Sequence, residues 1–551
     1  MLSSLEIAQA AQLRPIGQIA EEAGLQPDEV EPYGRFKAKI DLSALDRLRS
    51  VPDAKLICVT AITPTKAGEG KTTTSVSLTQ GLGAIGKRAV LCLREASVGP
   101  VFGIKGGAAG GGYAQVLPME DLNLHFTGDI HAIGAANNLL AAMLDSHILH
   151  GNTLGIDPLS ITWRRCVDMN DRALRQIAIG LGGRANGYVR ETGFDITAAS
   201  EVMAIVAVAR DLRDLRARLG AITVAHSFAG DPITAEQLRA AGAMTVLLKD
   251  ALKPNLVQTL EGQPAIVHCG PFANIAHGNS SLVADLAGLK LGDYVVTESG
   301  FGSDMGMEKF LNIVCRIGGL APSGIVLVAT ARALKHHGGD PDGGLDAIER
   351  GAENMRRHLE IVQEFGLKAV VAVNRFPTDT NDEIELVRRL ALEFGAHAAE
   401  VNDAFERGGA GATELAEAVV DATREAPSFD YTYPLEASIE EKIEAIAKRV
   451  YGADGVFFLK TAAEKAAAYT AAGLDRLPIC MAKTHLSLSH DASLLNAPKG
   501  FTVTVRDLRA YTGAGWIVAL CGDMQTMPGL AAQPAAFAVD IDSEGRTVGL
   551  F

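Results

Sequence analysis

Short, uninterrupted apolar runs alternate along this chain with longer stretches of mixed polarity. KLICVTAI (55–62) is rich in β-formers and bounded by Pro52-Asp53 and Thr63-Pro64, which predicts a buried strand. A Gly-containing loop follows, then TTTSVSLTQGLGAIG (72–86), which reads as a helix, then RAVLCLRE (88–95), a second buried strand. Strand, loop, helix and strand in this order form a βαβ unit, and such units build parallel sheets with right-handed crossovers. Further apolar runs at 221–228, 244–249, 265–270, 294–299, 324–330 and 369–376 predict more strands, with helical patterns between them. Residues 4–24 read as one amphipathic helix and 129–149 as another, while HHGGDPDGG (336–344) reads as a loop. The texture changes at the Gly-rich IKGGAAGGGY (104–113), where an insertion is expected to begin.

These signals predict an α/β protein: a P-loop nucleotide-binding parallel sheet with an inserted domain and a C-terminal α/β domain. The expected division is 1–103 with 241–362 as a discontinuous nucleotide-binding domain, 104–240 as the insertion, and 363–551 as the C-terminal domain. A length of 551 residues agrees with several domains, because one core stops growing well below that size.

Charge and composition narrow the function classes. A net charge of −14 argues against nucleic-acid coating, which needs a basic face, but not against phosphate ligands held by a few local groups. No apolar run approaches the ~20 residues of a membrane span, so no membrane association is expected. The N-terminal stretch lacks a charged segment followed by an apolar core, and Glu6, Glu21 and Glu22 speak against a transit peptide. Seven scattered cysteines without a CxxC pair predict buried, reduced thiols in a cytoplasmic protein.

The sharpest chemical signal lies between the first strand and the first helix. Thr65, Lys66, Ala67, Gly68, Glu69, Gly70, Lys71 and Thr72 resemble a Walker A loop, with Thr65 in place of its first glycine. Backbone N–H groups of such a turn point inward and a helix N-terminus adds partial positive charge, so the loop suits the phosphates of ATP. Lys71 would meet the β- and γ-phosphates and the Thr72 hydroxyl would bind Mg²⁺, with Thr73 the neighbouring alternative. Lys66 also resembles the extra lysine of ParA/MinD-like ATPases, which are nucleotide-switched dimers, and the local motif does not separate the two readings. The second strand ends in Leu93-Arg94-Glu95, a charged pair where α/β sheets hold ligands. Arg94 suits a bidentate grip on phosphate or carboxylate; the alternative is a structural Arg–Glu pair.

Two longer strings carry a resemblance. Gly103 to Tyr113 (GIKGGAAGGGY) and Val328 to Gly339 (VATARALKHHGG) resemble the two signatures of the formate–tetrahydrofolate ligase family. The similarity runs nearly end to end, through PMEDLNLHFTGDIHAI (118–133), ESGFGSDMGMEKF (298–310), NRFPTDT (374–380) and MAKTHLSLSHD (481–491). The resemblance implies ligation of formate to tetrahydrofolate with ATP through formyl phosphate, dependence on Mg²⁺, stimulation by a monovalent cation (K⁺ or NH₄⁺), and a homotetramer. It further implies that Lys71 holds the transferring phosphoryl group, Arg94 holds formyl phosphate, and Glu95 bears on the cation response. Phe376 and Phe405 would wall the pterin slot, with the C-terminal domain contributing to the folate site. The chain departs from the family form at Lys66, Ala96 and Ala331, and Phe405 stands where a tryptophan is usual. His125 and Asp129 are either site residues or satisfied structural groups. Lys105 and the glycines up to Gly112 are either a ligand loop or a tight turn, and Arg332 and Lys335 either touch phosphate or coat a helix.

Overall fold

The computed structural model describes residues 2–103, 108–522 and 524–550. Seven strands run parallel in one sheet: β1 (Lys55–Ala61), β2 (Ala89–Leu93), β3 (Pro264–Val267), β4 (Tyr294–Glu298), β5 (Gly324–Ala329), β6 (Ala369–Asn374) and β7 (Ala398–Asn402). Their spatial order is β3-β2-β4-β1-β5-β6-β7, so β1 lies at the centre. Beyond β3 the sheet turns antiparallel through Asn255–Thr259, Ala38–Ile40 and Val30–Pro32, with Ala114–Leu117 beside Asn255–Thr259. The molecule is therefore mixed α/β around a large, mostly parallel sheet.

Both faces of that sheet are buried, which is why its strands read as continuous apolar runs rather than alternating ones. In β1, Leu56 and Cys58 join one core while Ile57, Val59 and Ala61 join the other. In β5, Ile325 and Leu327 oppose Val326 and Val328 in the same way. Helix α1 (Lys71–Ala84) covers one face with Val76, Leu78 and Leu82. A third core gathers around α2 (Asp129–Leu149), from Ile133, Leu140 and Leu144 against Val202, Ile205, Leu215 and Leu219. The short α3 (Ala331–His337) follows β5, and α4 (Leu345–Glu364) covers the second sheet face with Ile348, Met355 and Leu359.

Several expectations need correction. Residues 4–24 form two helices, Ser4–Ala10 and Ile16–Glu22, because Pro15 cannot continue a helix. The run 221–228 contains a strand, Thr223–His226, but it pairs only with Pro232–Thr234, away from the main sheet. The run 244–249 lies in a helix, Ala241–Leu248, that buries Met244 and Leu248 four residues apart and leaves Val246 70% exposed. That helix belongs to the α2 core, as does Leu252, so this unit runs past residue 240. Likewise the sheet crosses residue 363 without a break, since β6 pairs with β5 and β7 with β6. The last part of the chain adds a separate three-stranded sheet, Ile479–Ala482, Trp516–Leu520 and Asp507–Tyr511, whose Cys480, Ala482 and Trp516 pack into the α2 core.

All seven cysteines are buried and unpaired. Among the described residues no helix is long and apolar enough to cross a membrane.

Candidate active site

Parallel strands end on one edge of the sheet, and the residues that follow β1, β2, β4, β5, β6 and β7 gather there. After β1 the chain makes a glycine-rich turn and enters α1 at Lys71. Gly68 and Gly70 have φ of +78° and +77°, and a Cβ on Gly70 would stand 2.9 Å from Nδ2 of Asn374. Both the left-handed backbone and the close approach call for glycine at position 70. No side chain caps α1, so its first N–H groups open onto the turn.

The turn is laced from inside by Glu69, which is buried. Its Oε1 accepts from the backbone N–H and the hydroxyl of Thr65, each at 2.8 Å, and its Oε2 accepts from the Thr330 hydroxyl at 2.6 Å. From the next strands, Asn374 donates to the Glu69 carbonyl at 2.8 Å and accepts from Thr74 at 2.9 Å, while Asn402 donates to Asn374 at 2.8 Å. Upstream, the Thr63 hydroxyl meets Nε2 of His358 at 2.9 Å and Nε2 of His337 meets the Thr63 carbonyl at 2.9 Å. Lys66, Ala67 and Gly68 are exposed at the tip. Three neighbouring strand ends thus fix a turn whose outer edge faces solvent.

Lys71 and Arg94 come together with a third residue, Glu298, at the end of β4. One guanidinium nitrogen of Arg94 lies 3.6 Å from Glu298 Oε1, and another donates to the Pro271 carbonyl at 3.5 Å. Burial lowers the Lys71 ammonium below its ordinary value; the carboxylates of Glu298 and Glu69 oppose that shift, and Arg94 adds to it. Among the described residues no ion pair or hydrogen bond engages that ammonium. In α1 the hydroxyls of Thr74, Ser75, Ser77 and Thr79 all bond back to carbonyls of the helix or its entry. The hydroxyls of Thr72 and Thr73 make no such bond among the described residues, which leaves them available to a ligand.

Glu95 has different surroundings from Arg94. Its N–H donates to the Cys269 carbonyl at 2.6 Å, and its buried Oε2 has no hydrogen-bond partner. Burial raises its carboxyl well above the usual range, Asp129 and Asp168 add to this, and Lys39 opposes it. Asp129 is itself satisfied: Lys39 Nζ donates to it at 2.8 Å and Asn255 at 2.8 Å. His125 is exposed. Lys105, Gly106 and Gly107 of the Gly-rich string lie outside the described residues.

The two phenylalanines follow adjacent strands, Phe376 after β6 and Phe405 after β7. Phe405 is 43% exposed, and its carbonyl accepts from the Tyr113 N–H at 2.9 Å. A Cβ on Gly111 would come within 3.0 Å of its ring and one on Gly112 within 2.0 Å of its carbonyl, so this part of the glycine string serves close packing under Phe405. Arg332 reaches the Gly68 carbonyl and stacks over Phe376 with its central carbon 4.0 Å from the ring centre. Lys335 instead pairs with Glu383 at 2.5 Å.

Sequence reasoning missed Glu298, although it closes the strand YVVTE just as Arg94 follows VLCL. Thr330, Asn374 and Asn402 were missed too, since each acts only through the pairing of β5, β6 and β7 with the centre of the sheet.

A sequence profile described as formate–tetrahydrofolate ligase matches residues 2–551. Curated proteins of that name are similar over the full length. The one from Desulforamulus reducens is 56% identical, covering 100% of this chain and 99% of its own. Those from a Roseiflexus species and from Cutibacterium acnes are 56% and 55% identical, each with both chains covered completely.

Proposed function

The chain belongs to the formate–tetrahydrofolate ligase family, and we propose that it joins formate to tetrahydrofolate with ATP, giving 10-formyltetrahydrofolate, ADP and phosphate. What supports the residue-level reading is the convergence of two cations, Lys71 and Arg94, on Glu298 at neighbouring strand ends, in a chain similar throughout to ligases of that name.

In this reading the turn from Thr65 to Thr72 is a P-loop that wraps the phosphates of ATP with its N–H groups. Formate is a resonance-stabilised carboxylate and a poor electrophile. Its oxygen attacks the γ-phosphorus, the bond to the bridging oxygen breaks, and ADP leaves with that electron pair. The folate nitrogen N10 then attacks the formyl carbon, the carbon–oxygen bond to phosphate breaks, and the nitrogen releases its proton. Neither step needs a Ser, Cys or His nucleophile. Lys71 neutralises charge on the transferring phosphoryl group, and Arg94 grips formyl phosphate with its planar fork. Phe376 and Phe405 offer aromatic faces to the flat pterin.

The unengaged Thr72 hydroxyl, with Thr73 beside it, suits Mg²⁺, which when bound neutralises the β- and γ-phosphates. Glu95, with one buried carboxylate oxygen lacking a partner, suits a monovalent cation such as K⁺ or NH₄⁺. A homotetramer and a cytoplasmic location complete the reading, the latter supported by seven unpaired thiols.

The test is absorbance of methenyltetrahydrofolate after acid quench, which should require formate, ATP and tetrahydrofolate together. A nucleotide-switched ATPase, argued by the exposed Lys66, would instead release ADP without formate.

A further inference from the structure

Asn374 and Asn402 close β6 and β7, face each other in the register of those strands, and are both buried. The Asn374 amide donates to the Glu69 carbonyl at 2.8 Å and to the Gly70 carbonyl at 3.4 Å. Its oxygen accepts from the Asn402 amide at 2.8 Å, and the Asn402 oxygen accepts from the Ser77 hydroxyl of α1 at 3.1 Å. Gly70 admits the amide this closely, because a Cβ there would meet it at 2.9 Å. A peptide unit is planar and trans, so its C=O and N–H point in opposite directions. Drawing the Glu69 and Gly70 carbonyls toward Asn374 therefore turns the N–H groups of Gly70 and Lys71 away from it. Among the described residues no hydrogen bond occupies either of these N–H groups.

We propose that Asn374, held by Asn402, is a positioning residue for phosphoryl transfer: it aims the N–H groups of Gly70 and Lys71 at the phosphates without touching the nucleotide. The proposal rests on the reading of this turn as the phosphate loop. A hydrogen bond weakens steeply as its angle closes, so a donor serves an anion best when it is already aimed. Asn402 supplies the direction. A side-chain amide has a donor end and an acceptor end, and the bond from Asn402 selects the arrangement in which the Asn374 donor faces the turn. Without that bond Asn374 is free to flip, and its oxygen would then stand against the Glu69 carbonyl.

The experiment measures the ATP Kd by calorimetry without formate, together with melting temperature and the formate KM at saturating ATP. Asn374→Leu removes the donor at similar volume and adds no charge. Its ATP Kd should rise about tenfold, the size of one good hydrogen bond, with the formate KM within about twofold of native. Asn402→Ala should raise the ATP Kd about threefold, and should add nothing in the Asn374→Leu background, because it acts through Asn374. A residue that only supports the fold would lower the melting temperature and leave the ATP Kd native; that result overturns the proposal, as does an Asn402→Ala effect that persists undiminished in the Asn374→Leu background. If Asn374→Leu does not fold, Asn402→Ala decides alone, and a native ATP Kd there overturns the proposal. Lys71→Ala separates this from the reading of the turn. Native ATP affinity in both asparagine variants, with turnover lost in Lys71→Ala, removes the positioning role alone, whereas full turnover in Lys71→Ala removes the phosphate loop as well.

Discussion

The guanidinium of Arg332 lies 4.0 Å from the centre of the Phe376 ring and also donates to the carbonyl of Gly68. One side chain therefore ties the turn before α1 to the aromatic residue beyond β6, and with it the proposed ATP site to the proposed pterin site. Glu69, 3.7 Å from the same guanidinium, holds it on the turn side.

Arg332→Ala should raise the KM for ATP and for tetrahydrofolate together, each by about three- to tenfold, the scale of a partly desolvated cation–π contact. Arg332→Lys should recover the ATP value better than the folate value, since it restores charge without a planar group. Steady-state kinetics with each substrate varied checks this; a change confined to one substrate contradicts the bridge.

Glu298 opposes the burial that lowers the Lys71 ammonium. Lys71 acts protonated, so activity fails on the alkaline side as it loses its proton. Removing the Glu298 charge lowers the Lys71 value further, so in Glu298→Gln the alkaline limb of the kcat/KM profile should move to lower pH, while the acid limb stays in place. That profile reports ionisations of the free enzyme. An unmoved alkaline limb would mean that Glu298 does not act on Lys71.

Phe405 is 43% exposed, so it is not a core residue. Phe405→Ala should raise the tetrahydrofolate KM about tenfold, in line with the ~1–3 kcal/mol of a base stacked on an aromatic face. Its melting temperature should hardly change, since exposed substitutions stay within about 0.5 kcal/mol. Phe405→Trp should lower the same KM modestly. ATP and formate values should move by less than about twofold in both, because the effect is binding at a separate subsite. A sharp fall in melting temperature with an unchanged folate KM would rule out the pterin role.

Away from the site, Glu201 is buried with its carboxyl pushed up to about 7, chiefly by burial and against the N–H groups of Gly513 and Ala514. Below the ordinary value of 4.5 both folded and unfolded chains hold the proton. Between there and about 7 only the folded chain keeps it, so stability falls as pH rises, and above that the loss is complete. Glu201→Gln keeps the acceptor and removes the charge. It should raise thermal stability at pH ~8 by on the order of 2 kcal/mol and change little near pH ~4.5. An equal effect at both pH values would contradict the titration.

The unit from β1 to β2 was legible because strands buried on both faces read as unbroken apolar runs, and because the glycines of GEGKTT mark a tight turn into a helix. Residues 244–249 were not, since a short apolar run fits either period; the helix prevailed by burying Met244 and Leu248 together. The expected boundary at 363 failed to divide the sheet for a related reason. AVVAVN announces a strand but not its neighbour, and only the pairing of β6 with β5 shows that the sheet continues. In the site, motif and position single out Lys71 and Arg94, and the structure brings both beside Glu298. Glu298 has no local signature, and its role depends on the strand order β2-β4-β1, which no single segment encodes.

The most direct test of the central claim is formyl transfer by Lys71→Ala. A charge that stabilises the transition state is worth about 10²–10³ in rate, roughly 3–4 kcal/mol. Methenyltetrahydrofolate absorbance after acid quench should therefore fall at least about a hundredfold in the variant, with an unchanged circular dichroism spectrum. A correctly folded variant that kept more than about half of the native rate would contradict the assignment of the turn at Thr65 to Thr72 as the seat of phosphoryl transfer.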